Sequence, residues 1–112
     1  MYNAGCRILN IIHTRLRHRS SSLNVDLFRV HLANDPGYIC GCAFEDEIHF
    51  ILECSIYNEA REELKRRLVF LRELKIEVLL FCDDTLTEMQ NLQMFRSVQL
   101  YIKRTKRLPI YD

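Results

Sequence analysis

The sequence predicts an all-α fold, a small helical domain stapled at one loop. Three observations lead there. Apolar residues recur at three- and four-residue intervals along most of the chain, turn signals are confined to a few short breaks, and Cys and His ligand types crowd into one stretch between helical segments. With 112 residues and 48% apolar content the chain has material for one core with limited margin. It reads as one domain over 1–112: a basic helical hairpin at 1–31, a ligand-bearing loop at 38–54 and a helical remainder at 55–108.

Ile8, Leu9, Ile12 and Leu16, with Arg and His between them, predict an amphipathic helix from about Asn3 to His18. The serines at 20–22 end it and offer an N-cap for a second helix carrying Leu23, Leu27, Val30 and Phe28. Asn34-Asp35-Pro36-Gly37 is a turn, which leaves Tyr38 to Phe44 as irregular loop. Ser55 is the expected cap of a longer helix striped by Ile56, Ala60, Leu64, Leu68 and Leu71. Glu59, Glu62 and Glu63 near its start and Lys65, Arg66 and Arg67 after them follow the order the helix dipole favours. The apolar run Ile76 to Phe81 fits either a strand or a buried helical turn, and only its neighbours can decide. After Asp83-Asp84, Thr85-Leu-Thr-Glu88 matches a capping box for a last helix striped by Leu92, Phe95, Val98, Tyr101 and Ile102, with Met89 adjoining. That helix closes in a basic tail before Pro109.

The loop carries Cys40, Cys42, His49 and Cys54 in the pattern C-x-C-x₆-H-x₄-C. Three thiolates and one imidazole form a closed tetrahedral set for structural Zn2+, with Zn–S near ~2.3 Å and no open position for a substrate. Gly41 between the first two cysteines lets the backbone turn tightly enough for both sulfurs to face one ion. His49 and Cys54 are harder to reconcile. Five positions on a regular α-helix, at roughly 100° each, set them about 140° apart. The backbone must bend there, or the ion must sit at a helix end. The competing reading makes Cys40 and Cys54 small buried hydrophobes beside a surface His49.

A net charge of +1 conceals strong patterning. Residues 1–31 hold five Arg against Asp26 alone, residues 32–63 hold eight acids against Arg61, and 103–112 are again basic through Lys103, Arg104, Lys106 and Arg107. Basic stretches on either side of an acidic loop can meet in a phosphate-binding surface if the fold gathers them, or can each be the solvated face of a helix. No apolar run approaches the ~18 residues of a membrane span. Five cysteines, an odd number with Cys6 and Cys82 far from the cluster, suit a reduced intracellular setting, cytoplasmic or nuclear, better than a disulfide framework. His13, His18 and His31 alternate with Arg and read as surface or phosphate-facing side chains. Cys82-Asp83-Asp84 lacks the surroundings of a polymerase double-Asp motif, and three glycines provide no phosphate-cradling loop.

The stretch Tyr38-Ile-Cys-Gly-Cys42, then Glu45-Asp-Glu-Ile-His49-Phe-Ile-Leu-Glu-Cys54, then Tyr57 and Arg61, resembles the zinc-binding C-terminal region of reverse transcriptases from non-LTR retrotransposons, jockey-like elements in particular. Arg15-Leu-Arg17 followed by Leu23-Asn24 and Leu27 is similar to the helical hairpin that precedes it in that family, and Tyr101 to Leu108 looks like its closing segment. Two positions depart from the pattern: Ala43 stands where the family usually has Gly, and Ile48 precedes the His. The resemblance implies a structural zinc held by Cys40, Cys42, His49 and Cys54, in the tail of a polyprotein whose polymerase, endonuclease and ribonuclease H regions lie outside this sequence.

The expected function is therefore a non-catalytic nucleic-acid-binding domain. Arg15, Arg17, Arg19 and Arg29, with Lys103, Arg104, Lys106 and Arg107, are expected to contact RNA or DNA phosphates without reading sequence. Tyr38 and Phe44 are candidates for stacking on bases. The alternatives are a protein-interaction module that docks on the polymerase or ribonuclease H domains, a degenerate element fragment without function, and a transit peptide over residues 1–25.

Overall fold

The computed structural model describes residues 4–108, with side chains in the first helix from Leu9 onward. Cys6 and Ile8 thus lie outside the described side chains. Among the described residues five α-helices follow one another, α1 (Ala4–Arg17), α2 (Asn24–Arg29), α3 (Asn58–Arg67), α4 (Ile76–Phe81) and α5 (Glu88–Thr105). A π-turn (His49–Glu53) and a 3-10 turn (Ser55–Tyr57) sit between α2 and α3. No strand occurs among the described residues, and no described helix is long and apolar enough to cross a membrane. The 76–81 run is helical; Leu79 and Leu80 turn into the core beneath α1 and α5.

Helix α5 is the spine, packed by α3, α1 and α4. Three neighbours bury a wide arc of it, made of Met94, Ser97, Val98, Tyr101 and Ile102. The expected stripe is displaced: Leu92 and Met89 face solvent, and Met94 takes the inner position. Its cap also differs from expectation. Thr87, not Thr85, is the N-cap and exchanges hydrogen bonds with Gln90 in a full capping box. Asp83 is the reason, since its carboxylate accepts from Thr85 N at 3.0 Å and spends Thr85 on a turn that ends α4.

Two other expected caps are replaced. Neither α2 nor α3 has a side-chain cap, Leu23 and Tyr57 occupying their N-cap positions. Ser21 instead enters the interior, where its hydroxyl donates to Asp26 at 2.6 Å and accepts from Leu23 N at 3.1 Å. With Asp26 inward and α2 only six residues long, Phe28 and Val30 are left on the outside. Ser55 opens the 3-10 turn, whose tighter winding exposes Ile56 and buries Tyr57. Ala60, Leu64 and Leu68 then form the inward stripe of α3 as the periodicity predicts.

His13 is the largest departure. It is buried on α1, stacked on Phe95 with ring centroids 4.7 Å apart, and neither ring nitrogen has a hydrogen-bond partner. The neighbouring Leu80 carbonyl, which also accepts from Arg17 Nε, opposes the charge loss less than burial and the Arg17 charge favour it. Burial first, and the Arg17 charge second, bring the imidazole from 6.5 down to about 4. A group whose pKa is lowered by folding leaves stability intact above its unfolded value and withdraws it as pH falls towards the folded one. Acidification from 6.5 to 4 is therefore expected to cost up to about 3 kcal/mol through His13 alone. The check is urea unfolding across that range for the native chain and His13→Phe; parallel pH profiles for the two would refute it.

Candidate metal centre

Three of the four expected ligands converge. The ligand atoms of Cys40, Cys42 and His49 lie within 4.8 Å of one another, and Cys40 Sγ is 3.2 Å from His49 Nε2. Local backbone chemistry brings them there. Gly41 N donates to Tyr38 O at 3.0 Å, closing a turn in which Gly41 has φ +93°, a region that strains any residue with a Cβ. Gly37 is needed for a different reason, since a Cβ there would collide with the Cys42 carbonyl. Asp35 accepts from Gly37 N at 2.8 Å and sets the preceding bend.

His49 is aimed from its own turn. Asp46 caps that turn, with Oδ1 accepting from His49 N at 2.8 Å. Nδ1 lies 3.9 Å from Glu53 Oε1, so Nε2 is the nitrogen left facing the thiols. A carboxylate behind the other ring nitrogen is the usual device for orienting a ligating imidazole.

The π-turn resolves the five-residue spacing that a straight helix cannot accommodate. Cys54 N donates to His49 O at 2.8 Å, an i→i+5 bond that places Cys54 one wide turn beyond His49, and Cys54 then leaves in an extended conformation. The Cys54 thiol is buried and interacts with that of Cys40. Burial pushes the Cys40 thiol up, but hydrogen bonds from the Cys42 backbone and thiol, from His49 and from Cys54 outweigh it and bring Cys40 down to about 7. Burial and the Cys40 thiol push Cys42 and Cys54 up, against opposing backbone hydrogen bonds. One sulfur is thus readily ionised while its neighbours serve as donors, the condition from which a cation displaces protons.

Two polar clamps hold this loop to the helices, and both use residues with partners far away in sequence. Buried Glu45 receives Nε of Arg107 at 2.7 Å and a second bond from the same guanidinium, together with Asn24 N at 2.7 Å. The guanidinium also lies 4.4 Å from the centre of the Tyr38 ring. Buried Arg61 donates to the carbonyls of Ile51 at 2.9 Å and Cys54 at 2.8 Å and to Asn58 Oδ1 at 2.8 Å. Tyr101, its phenol pushed up to about 12 by burial, donates to Phe50 O.

These clamps revise the cation set. Arg107 is turned inward on Glu45, away from any phosphate. Arg29 is paired with Asp26 at 3.0 Å, Arg19 with Glu47 at 3.6 Å, and Arg17 is half-buried against Leu80 O. Arg15, Lys103, Arg104 and Lys106 stay exposed, with no ion pair among the described residues. The His13–Phe95 stack and the Gln99–Asn10 hydrogen bond show α1 and α5 crossing in opposite directions, so Arg15 and Lys103 lie roughly 15 Å apart along the helices. Cys82 is half-buried against the core, outside the cluster.

No protein-family model, curated protein or solved structure matches the chain.

Removing Arg107 leaves the Glu45 carboxylate buried without its counter-charge, which typically costs about 3–5 kcal/mol. Arg107→Ala is expected to lower the unfolding midpoint far more than Arg104→Ala, its exposed neighbour. Equal shifts in thermal unfolding would show that the clamp contributes nothing.

Proposed function

We propose that the chain is a non-catalytic helical domain stapled by zinc through Cys40, Cys42, His49 and Cys54, and that it binds RNA or DNA phosphates as part of a non-LTR reverse-transcriptase polyprotein. The convergence of Cys40, Cys42 and His49 carries the reading, because three soft or borderline ligands within bonding reach of one point suit zinc, and a fourth protein ligand would close the set against a substrate. Cys54 is the natural fourth ligand: its thiol adjoins Cys40, and the π-turn sets it beyond His49. Thiolate ligands must remain reduced, which suits an intracellular setting. Phosphate contact falls to Arg15, Lys103, Arg104 and Lys106, the members of the basic set with no ion pair among the described residues, as separated points along a strand. Phe44, 64% exposed in the metal loop, is the stronger candidate for base stacking, since Tyr38 lies under Arg107.

A protein-docking role is favoured by one specific observation. Large apolar side chains face outward in and before the metal loop, with Leu32 75% and Ile39 84% exposed. A polymerase or ribonuclease H surface would be the partner in that case.

Mass spectrometry of the reduced protein is expected to find one zinc per chain, with helical circular dichroism lost on adding a strong chelator. A helical, metal-free protein would end the reading. Cys54→Ser should lower zinc affinity sharply and Cys82→Ser hardly at all; equal losses would remove Cys54 from the ligand set.

Replacing Arg15, Lys103, Arg104 and Lys106 by Ala should weaken RNA and DNA binding alike. The slope of log K against log salt should fall by roughly 0.7 to 0.9 per lost phosphate contact, with folding unchanged. Unaltered affinity and slope in the folded variant would favour docking.

A further inference from the structure

Arg61 is an anomaly in the hydrogen-bond network. It is 5% exposed, and its guanidinium bonds only to neutral groups: the carbonyls of Ile51 and Cys54, the Asn58 side chain and, at 3.3 Å, the Tyr101 hydroxyl. It forms no ion pair among the described residues, whereas the other two fully buried charges near the loop each have one, Glu45 with Arg107 and Asp26 with Arg29. Arginine stays protonated in proteins, so a full positive charge is buried there without a counter-ion. An unpaired buried charge is costly even when all its donors are satisfied.

We infer that Arg61 is the counter-cation of the metal centre, gripping the Cys54 segment by its backbone while its charge offsets the negative charge of a three-thiolate site. The inference rests on the zinc reading above. Charge balance is its core: Zn2+ with three thiolates and a neutral imidazole carries one net negative charge, and Arg61 carries one positive. The geometry places them together, because the carbonyl that Arg61 holds at 2.8 Å belongs to the ligand residue Cys54 itself. A neutral donor would satisfy the carbonyls of Ile51 and Cys54 equally well, so capping alone gives no reason for a buried charge. Arg61 is a positioning residue that acts through Cys54.

Cobalt(II), which occupies tetrahedral thiolate sites and absorbs through thiolate-to-metal charge transfer, reads that charge directly. In Arg61→Gln the loss of the nearby positive charge raises the thiolate donor levels, so the charge-transfer band should move to longer wavelength, and zinc affinity in chelator competition should fall by about 10- to 100-fold. Arg61→Lys retains the charge and should retain the band position. A band unmoved in Arg61→Gln overturns the inference, since that is the result a purely structural side chain would give. If Arg61→Gln fails to load cobalt, the same substitution in a Cys42→His background, whose ligand set carries one fewer negative charge, should recover loading; failure there also overturns it. A native chain that takes up neither cobalt nor zinc would instead end the zinc reading.

Discussion

The wide turn at His49–Glu53 is the constraint on which the rest of the architecture depends. Its i→i+5 hydrogen bond reconciles two demands that an ordinary helix sets against each other. Phe50 and Ile51 point into the core, where both are fully buried, while His49 and Cys54 both lie against Cys40 of the loop. Such a turn is unstable alone, because it stops at Cys54 and leaves carbonyls without a following helical turn to bond. Arg61 from α3 and Tyr101 from α5 supply the missing donors. The aromatic edges of Tyr57 and Tyr101 against Phe50, with centroids 5.6 and 5.5 Å away, add packing to the same point. Pairs of this kind are worth about 0.5–1.5 kcal/mol beyond burial. The turn is thus the joint at which the loop, α3 and α5 meet.

A second joint closes the loop from its other end. Glu45 binds Arg107 beyond α5 and the start of α2 through Asn24, while its backbone N–H donates to Pro36 O at 2.7 Å. Buried ion pairs add little net stability over apolar packing but penalise any arrangement that separates the partners. Here that penalty selects one register for a loop with little regular structure of its own. The same economy explains the surface. Cations that sequence places in basic stretches are consumed in pairing with the acids of the loop and α2, so the basic hairpin and tail carry much less free charge than their composition implies.

His13 and Arg61 illustrate opposite treatments of buried polar groups. His13 is kept neutral, and its isolation in an apolar contact between α1, α4 and α5 drives the imidazole away from charge. Arg61 cannot shed its charge, so its donors are directed to carbonyl oxygens. The two sites lie on different helices, His13 in the core against α5 and Arg61 beside the candidate ligands.

The helical class, the approximate helix boundaries, the inward stripe of α3 and the crowding of Cys40, Cys42 and His49 were legible in the chain, because each rests on spacings of a few residues. Gly41 was legible too, as a turn that only a residue without a Cβ accommodates. Asp46 could have been found, since an acid three residues before a ligand is a local cap signal. Nothing local marks Glu45, whose partner lies 62 positions away, or reveals that Arg107 turns inward on it. Periodicity likewise could not say which arc of α5 three neighbours would cover, so the buried face lies to one side of the expected stripe. It placed His13 on a surface that α5 and Phe95 in fact enclose. The π-turn belongs with these: the sequence required a departure from regular helix between His49 and Cys54, and tertiary structure chose its form, because the donors that stabilise it come from α3 and α5.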